Sequence, residues 1–132
     1  MIKTDDFYLP VYAVSNCPAG NWDEPAAFDM DALAEAAAAD NTIVEGIMAF
    51  RTLERLLENH RLKPADVRCV LVETPKETCL ERRMARAEAT PEETKYFENT
   101  VLPMYEMHCK KVAEELARKF NIEAERVRGF SD

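Results

Sequence analysis

Glycine is scarce in this chain. Among its 132 residues there are three, Gly20, Gly46 and Gly129, and no G-K-S or G-K-T triplet occurs anywhere. A loop of the type G-x-x-x-x-G-K-[ST], which wraps backbone N–H groups around phosphates, is therefore excluded. Histidine occurs twice, and the four cysteines, Cys17, Cys69, Cys79 and Cys109, show no C-x-x-C spacing, so neither a zinc site nor a dithiol redox pair is indicated. Reduced thiols in the core or at the surface are expected. No apolar run approaches the roughly 20 residues of a membrane span, and the N-terminus lacks the charged-then-apolar layout of a secretory signal. These absences predict a cytoplasmic protein with no membrane partner. Basic residues are also in deficit, 17 Lys and Arg against 25 Asp and Glu, for a net charge of −8. Non-specific nucleic-acid binding, which depends on neutralising phosphates, is disfavoured by that balance. A small anionic ligand would need a local basic patch.

What is present suits one globular domain over residues 1–132, with 47% hydrophobic residues and enough length for a single core. Ile2 to Thr4 read as the end of a short strand, which puts Asp5 and Asp6 at its carboxyl edge, where open α/β sheets bind ligands. Leu9 to Asp23, with Pro10, Pro18 and Gly20, is loop by its turn chemistry and long enough to bind something. Asp29 can cap a helix from about Met30 to Ala39 anchored by Leu33. In "TIVEGIMAF", Ile43, Val44, Ile47 and Met48 make the apolar run of a strand buried on both faces, interrupted by Glu45 and Gly46.

The stretch "RTLERLLENH" predicts a helix with Leu53, Leu56 and Leu57 on one face, ending before Pro64. "VRCVLVE" predicts another strand. Thr74-Pro75-Lys76-Glu77 and Thr90-Pro91-Glu92-Glu93 each combine a cap residue, a Pro at the first helical position and a Glu three residues after the cap. The helix after Thr90 carries Phe97, Val101, Met104, Tyr105, Cys109, Val112, Leu116 and Phe120 at helical spacing, with a kink expected at Pro103. "RVRGF" suggests a last edge strand. Alternation of strands and helices gives an α/β class. His60 and His108 suggest surface or packed histidines, and the six Met read as core filler.

Three stretches rise above composition: "TDDFYL", then "NWDEPAAFD" with "IVEGIMAF", then "ERRMAR" followed by "YFENTVLPMYEMH". Taken singly they are bland, a solvated turn, a strand end and a charged helix face. In this order they resemble the phosphoribulokinase and uridine kinase family of P-loop kinases, with a C-terminal half most similar to nicotinamide riboside kinases. The resemblance spans nearly the whole chain. It implies a three-layer αβα fold with a mostly parallel sheet, and ATP-dependent phosphorylation of a ribosyl 5′-hydroxyl of the nicotinamide riboside or uridine class, with Mg²⁺ and ATP as cofactors.

By position, Asp5 matches the general base that takes the 5′-hydroxyl proton. Tyr8 would lie near the acceptor, and Asp23 matches the acid that accepts from the ribose 2′- and 3′-hydroxyls. Trp22 matches an aromatic placed against the base. Glu45 matches the acid that holds Mg²⁺ directly or through water. Arg82, Arg83 and Arg86 match the lid arginines, with Arg82 and Arg86 one helical turn apart and able to face one phosphate.

The same resemblance makes the scarcity of glycine informative. The family's first strand, phosphate loop and adjoining helix have no counterpart here, and the short link "ADNT" replaces a longer insertion by which uridine kinases enclose the base. Two readings are open. In one the chain is the acceptor-binding and lid portion of a small-molecule kinase, inactive on its own and no better than a millimolar ligand of Mg-ATP. In the other it is a non-catalytic remnant that binds a ribosyl ligand or a protein partner. Without a central strand, the Glu45 strand should either pair with the Val67 to Val72 strand or leave an exposed edge through which the chain forms a homodimer.

Overall fold

In the computed structural model, which describes residues 1–9, 23–86 and 90–128, the strands form two separate parallel pairs. Strand β1 (Ile2–Lys3) pairs with β2 (Val44–Glu45), with Ile2 opposite Val44 and Lys3 opposite Glu45. Strand β3 (Val70–Glu73) pairs with β4 (Glu125–Arg128), from Val70 opposite Glu125 to Glu73 opposite Arg128. The chain is thus a mixed α/β protein, mostly helical, with two small parallel sheets. β2 and β3 do not pair, so the alternative of closing the sheet by joining them is not realised. The last edge strand expected in "RVRGF" is β4, and Gly129 and Phe130 lie outside the described residues.

Local signals explain most of the helices. Helix α1 (Met30–Ala37) starts where the Asp29 carboxylate accepts from the Ala32 N–H at 3.0 Å, and Leu33 is fully buried as its anchor. It stops two residues short of Ala39. Helix α2 (Ala49–Glu58) begins two residues before Arg51, buries Leu56 and Leu57, and gives way to His60 in the left-handed region at φ 56°. Helix α3 (Lys76–Met84) corrects one expectation: Pro75 takes an extended ψ of 142° and occupies the cap position itself, so Thr74 makes no capping bond. Thr90 does cap. Its Oγ1 accepts from the Glu93 N–H at 3.1 Å, and α4 (Pro91–Tyr96) begins there.

From α4 the chain stays helical through α5 (Leu102–Tyr105) to α6 (Lys111–Phe120), but Phe97–Val101 and Glu106–Lys110 are π-helical. The Leu102 N–H reaches back to the Phe97 carbonyl, a wide turn placed directly before Pro103. This widening, with five-residue bonds, stands beside Pro103, the position at which the sequence predicts a kink.

A second correction concerns Ile43 to Met48. Only Val44 and Glu45 are strand, and Ile43 is 66% exposed, so the segment is not buried on both faces. The reason is that among the described residues β2 has a neighbour on one side only, and Gly46, at φ 125°, turns the chain out of the strand. Met48 is fully buried, while Met1, Met84 and Met107 are exposed, so core filling describes only some of the methionines.

The main core joins Phe50 and Leu57 of α2 to Leu71 of β3 and to Val112 and Leu116 of α6. A second cluster of Ala27, Phe28, Leu33 and Met48 packs Ile2, Phe7 and Tyr8, and so fixes the segment that carries Asp5. Each fully buried side chain of Leu or Met size stabilises by about 1.5–3 kcal/mol relative to exposure. Cys69 and Cys109 are buried free thiols whose burial pushes their pKa up to about 11, and Cys79 is half-buried and free. Cys17 lies outside the described residues. Among the described residues no helix is long and apolar enough to cross a membrane.

His108 is buried, and its Nδ1 accepts from the Arg51 Nε–H at 3.0 Å, which requires a neutral ring. Desolvation, and then the Arg51 charge, hold its pKa below the usual 6.5. Its contribution to stability is therefore complete above about pH 6.5 and is lost as the pH falls below that value, where the unfolded chain takes up a proton and the folded chain does not. Replacing His108 with Gln, which can still accept from Arg51, should flatten the decline in melting temperature between about pH 6.5 and pH 5. An unchanged slope would assign that decline to other groups.

Gly46 generates a second prediction. A Cβ there would lie 1.9 Å from Thr4 Oγ1, and Thr4 is fully buried where β1 passes into the turn that bears Asp5. Gly46→Ala adds both this clash and the positive φ. It should cost about 2 kcal/mol or more, read by denaturant unfolding.

Candidate functional site

The segment after β1 and the segment before α1 are held against each other by their backbones. The Leu9 N–H donates to the Ala27 carbonyl at 2.9 Å and the Asp29 N–H to the Phe7 carbonyl at 2.7 Å. Tyr8 and Phe28 stack at a centroid distance of 4.4 Å across this bridge. One consequence is that Asp5, in the 3-10 turn Thr4–Phe7, and Asp23, just before the 3-10 turn Pro25–Ala27, come within electrostatic reach.

Asp23 is the half-buried member of this acidic pair. Its Oδ2 accepts from the Tyr96 hydroxyl at 2.8 Å, which ties the pair to the end of α4. Burial raises the Asp23 pKa above its usual 3.8, the Tyr96 hydrogen bond opposes the rise, and the Asp5 charge adds to it. A partly desolvated carboxylate with a second acid beside it is a strong acceptor for neutral donors. Neighbouring hydroxyls are such donors.

Glu45 is exposed at the carboxyl end of β2, next to the strand that leads into Asp5. Arg82 and Arg83 lie in the last turn of α3, whereas Arg86 falls beyond the helix end at Met84. The expected pairing of Arg82 and Arg86 on one helical turn is therefore not formed. Instead the Arg83 guanidinium lies over the Phe97 ring, 5.6 Å from its centroid. Because Phe97 is the residue after Tyr96, one step of chain connects the Arg83 contact to the Asp23 partner. Trp22 and most of the expected binding loop, residues 10–22, lie outside the described residues.

Tyr96 is the residue that sequence reasoning missed. It stands in "YFENTVLPMY", but its spacing there does not separate a polar partner from the apolar face of the same helix. His60 is exposed, and His108 serves packing, in line with the reading of both.

Among the described residues no group of three or more His, Cys, Asp or Glu gathers to hold a metal, and Glu45, the residue matched to Mg²⁺, is a single exposed carboxylate. No glycine-rich run offers the N–H cradle that a triphosphate requires. The sequence matches no protein-family model and no curated protein.

The Asp23 environment carries a pH consequence. With its folded pKa raised, Asp23 favours the folded state at low pH, and that contribution is lost as the pH rises from about 3.8 through the raised value. At neutral pH the ionised, partly buried carboxylate is a cost. Asp23→Asn, which keeps an oxygen for Tyr96, should raise the melting temperature by about 2 °C at pH 7, and the gain should vanish near pH 3. A lower melting temperature at pH 7 would show that the charge is compensated.

Proposed function

We propose that the chain is the acceptor-binding and lid portion of a nucleoside or riboside kinase-like protein with a P-loop kinase-like fold, and that alone it binds a ribosyl ligand without turning it over. One observation carries the reading. Asp23, matched by sequence to the ribosyl acceptor, is half-buried and accepts from the hydroxyl of Tyr96 in the segment after the lid, and the Asp5 charge is among the influences on its pKa.

The chemistry rests on the side chains. A carboxylate offers about four lone-pair sites, and Tyr96 fixes one oxygen of Asp23, so the vicinal 2′- and 3′-hydroxyls of a ribose can donate to the same group. Asp5, in the turn after β1, is the residue that the resemblance assigns to the proton of the 5′-hydroxyl. Arg82, Arg83 and Arg86 supply positive charge on the lid side of an acidic chain. The lack of a G-x-x-x-x-G-K-[ST] run in the sequence supports binding without turnover for the chain in isolation.

Calorimetric or NMR titration with nicotinamide riboside and uridine tests this. At least one should bind with a Kd of about 1 mM or tighter, while Mg-ATP binds no better than millimolar. Asp23→Asn and removal of the ligand 2′-hydroxyl should each weaken binding about 10-fold, as expected for lost acceptor–donor pairs of about 1.4 kcal/mol. Asp5→Asn should change affinity by less than about 3-fold, because its role is in proton transfer. Failure of both ribosides to bind, or equal affinity for the 2′-deoxy ligand, would overturn the proposal.

A further inference from the structure

A cavity of about 360 Å³ opens where β3 and β4 reach their carboxyl ends, between these strands and the second π-helical turn. Its charged lining is Glu73 of β3, Arg126 and Arg128 of β4, and Lys110 of the turn. It shares no residue with the Asp5 and Asp23 site or with the arginines of α3. Small-molecule sites run from about 300 to 1,000 Å³, and the carboxyl ends of parallel strands are where open α/β sheets take ligands.

The sign of the charge is reversed here. Three cations and one carboxylate line the cavity, an excess of two positive charges in a chain whose net charge is −8. Their placement follows from the fold. Arg126 and Arg128 are two residues apart on β4 and so project from the same face of the strand. Glu73 Oε1 accepts from Arg126 Nη1 at 2.8 Å, which orients that guanidinium and uses one of its five N–H donors.

Lys110 is oriented by the helical side. Its Nζ lies 5.8 Å from the centroid of the Tyr105 ring and 3.1 Å from Glu106 Oε1, a carboxylate outside the lining. Tyr105 is fixed in turn, since its hydroxyl donates to the Val72 carbonyl at 2.6 Å. Among the described residues the Arg128 side chain forms no ion pair and no hydrogen bond, so its full set of donors is open to a ligand.

Guanidinium forks match the planar edge of a carboxylate or the oxygens of a phosphate. The excess of two charges decides between them, because a phosphomonoester carries about −1.5 to −2 at neutral pH and a carboxylate or a phosphodiester carries a single charge. We propose that this cavity binds the phosphate group of a small phosphomonoester. The phosphate lies between Arg126 and Arg128 with Lys110 as the third cation, and the organic group of the ester lies along Pro75 and Val127. The inference does not depend on the ribosyl site.

The test is an NMR titration of the chain with methyl phosphate at about pH 7.5, where the monoester is a dianion, with ionic strength held constant by chloride. Binding should saturate with a Kd of about 5 mM or tighter and shift the Nε–H signals of Arg126 and Arg128. Dimethyl phosphate, the diester found in lipids and nucleic acids, and acetate should each bind at least about 10-fold more weakly. Arg128→Gln, at an exposed position with no ion pair to lose, should leave the backbone amide spectrum intact and weaken methyl phosphate binding about 10-fold. Arg118→Gln, exposed on α6, should leave the affinity unchanged. Shifts that grow without saturating, or that centre on other residues, would overturn the proposal. So would equal affinity for dimethyl phosphate or acetate, or an affinity that survives Arg128→Gln.

Discussion

Among the described residues no hydrogen-bond ladder ties the two sheets together, so the fold depends on α2. Its buried face presents Phe50 and Leu57 to Val112 and Leu116 of α6 and to Leu71 of β3, while Leu56 packs against Ala34 and Ala37 of α1. Apolar contact is non-directional, and here it carries a load that a continuous sheet usually shares. The ion pairs of α1 with α2 and with the turn after it, Arg55 with Asp31 and Arg61 with Glu35, are exposed and add little. Stability is concentrated in a few side chains of one helix.

Local turn chemistry and this packing together explain the acidic pair. Asp5 owes its place to β1 and the tight passage of Thr4 past Gly46, and Asp23 to the bridge between Tyr8 and Phe28. Backbone and apolar contacts bring the two carboxylates together, with a neutral hydroxyl from Tyr96 as a polar restraint on Asp23. Such an arrangement holds Asp23 within the electrostatic reach of Asp5 through the shape of the chain, against the repulsion of their charges.

Much of the element order was legible in the sequence because its signals are local. Asp29 and Thr90 act at a range of three residues, the leucines of α2 repeat at helical spacing, and the final strand falls on "RVRGF", where the sequence suggests an edge strand. Thr74 misled because the Pro after it can take either a helical or an extended ψ, and the sequence does not say which. Ile43 misled because burial of a strand depends on both neighbours, and no residue in "TIVEGIMAF" reports whether the second one is there. Tyr96 was not legible for a related reason: its partner Asp23 is 73 positions away. Asp5 and Asp23 could be singled out only through resemblance, since an acidic pair at a turn is ordinary by composition.

The two π-helical turns set the rotational phase of the long helical segment. Each extra residue in a turn rotates the downstream helix by about 100° relative to an unbroken α-helix. The turns at Phe97–Val101 and Glu106–Lys110 stand between Tyr96 at one end and the Val112 to Leu116 face at the other. With α6 held in the core, it is the number of residues in those turns that points Tyr96 toward Asp23 and, one residue later, Phe97 toward Arg83. Rewinding either turn to regular α-helix without removing a residue would leave every side chain of that region in the protein and aim the two aromatic rings at the wrong quadrant.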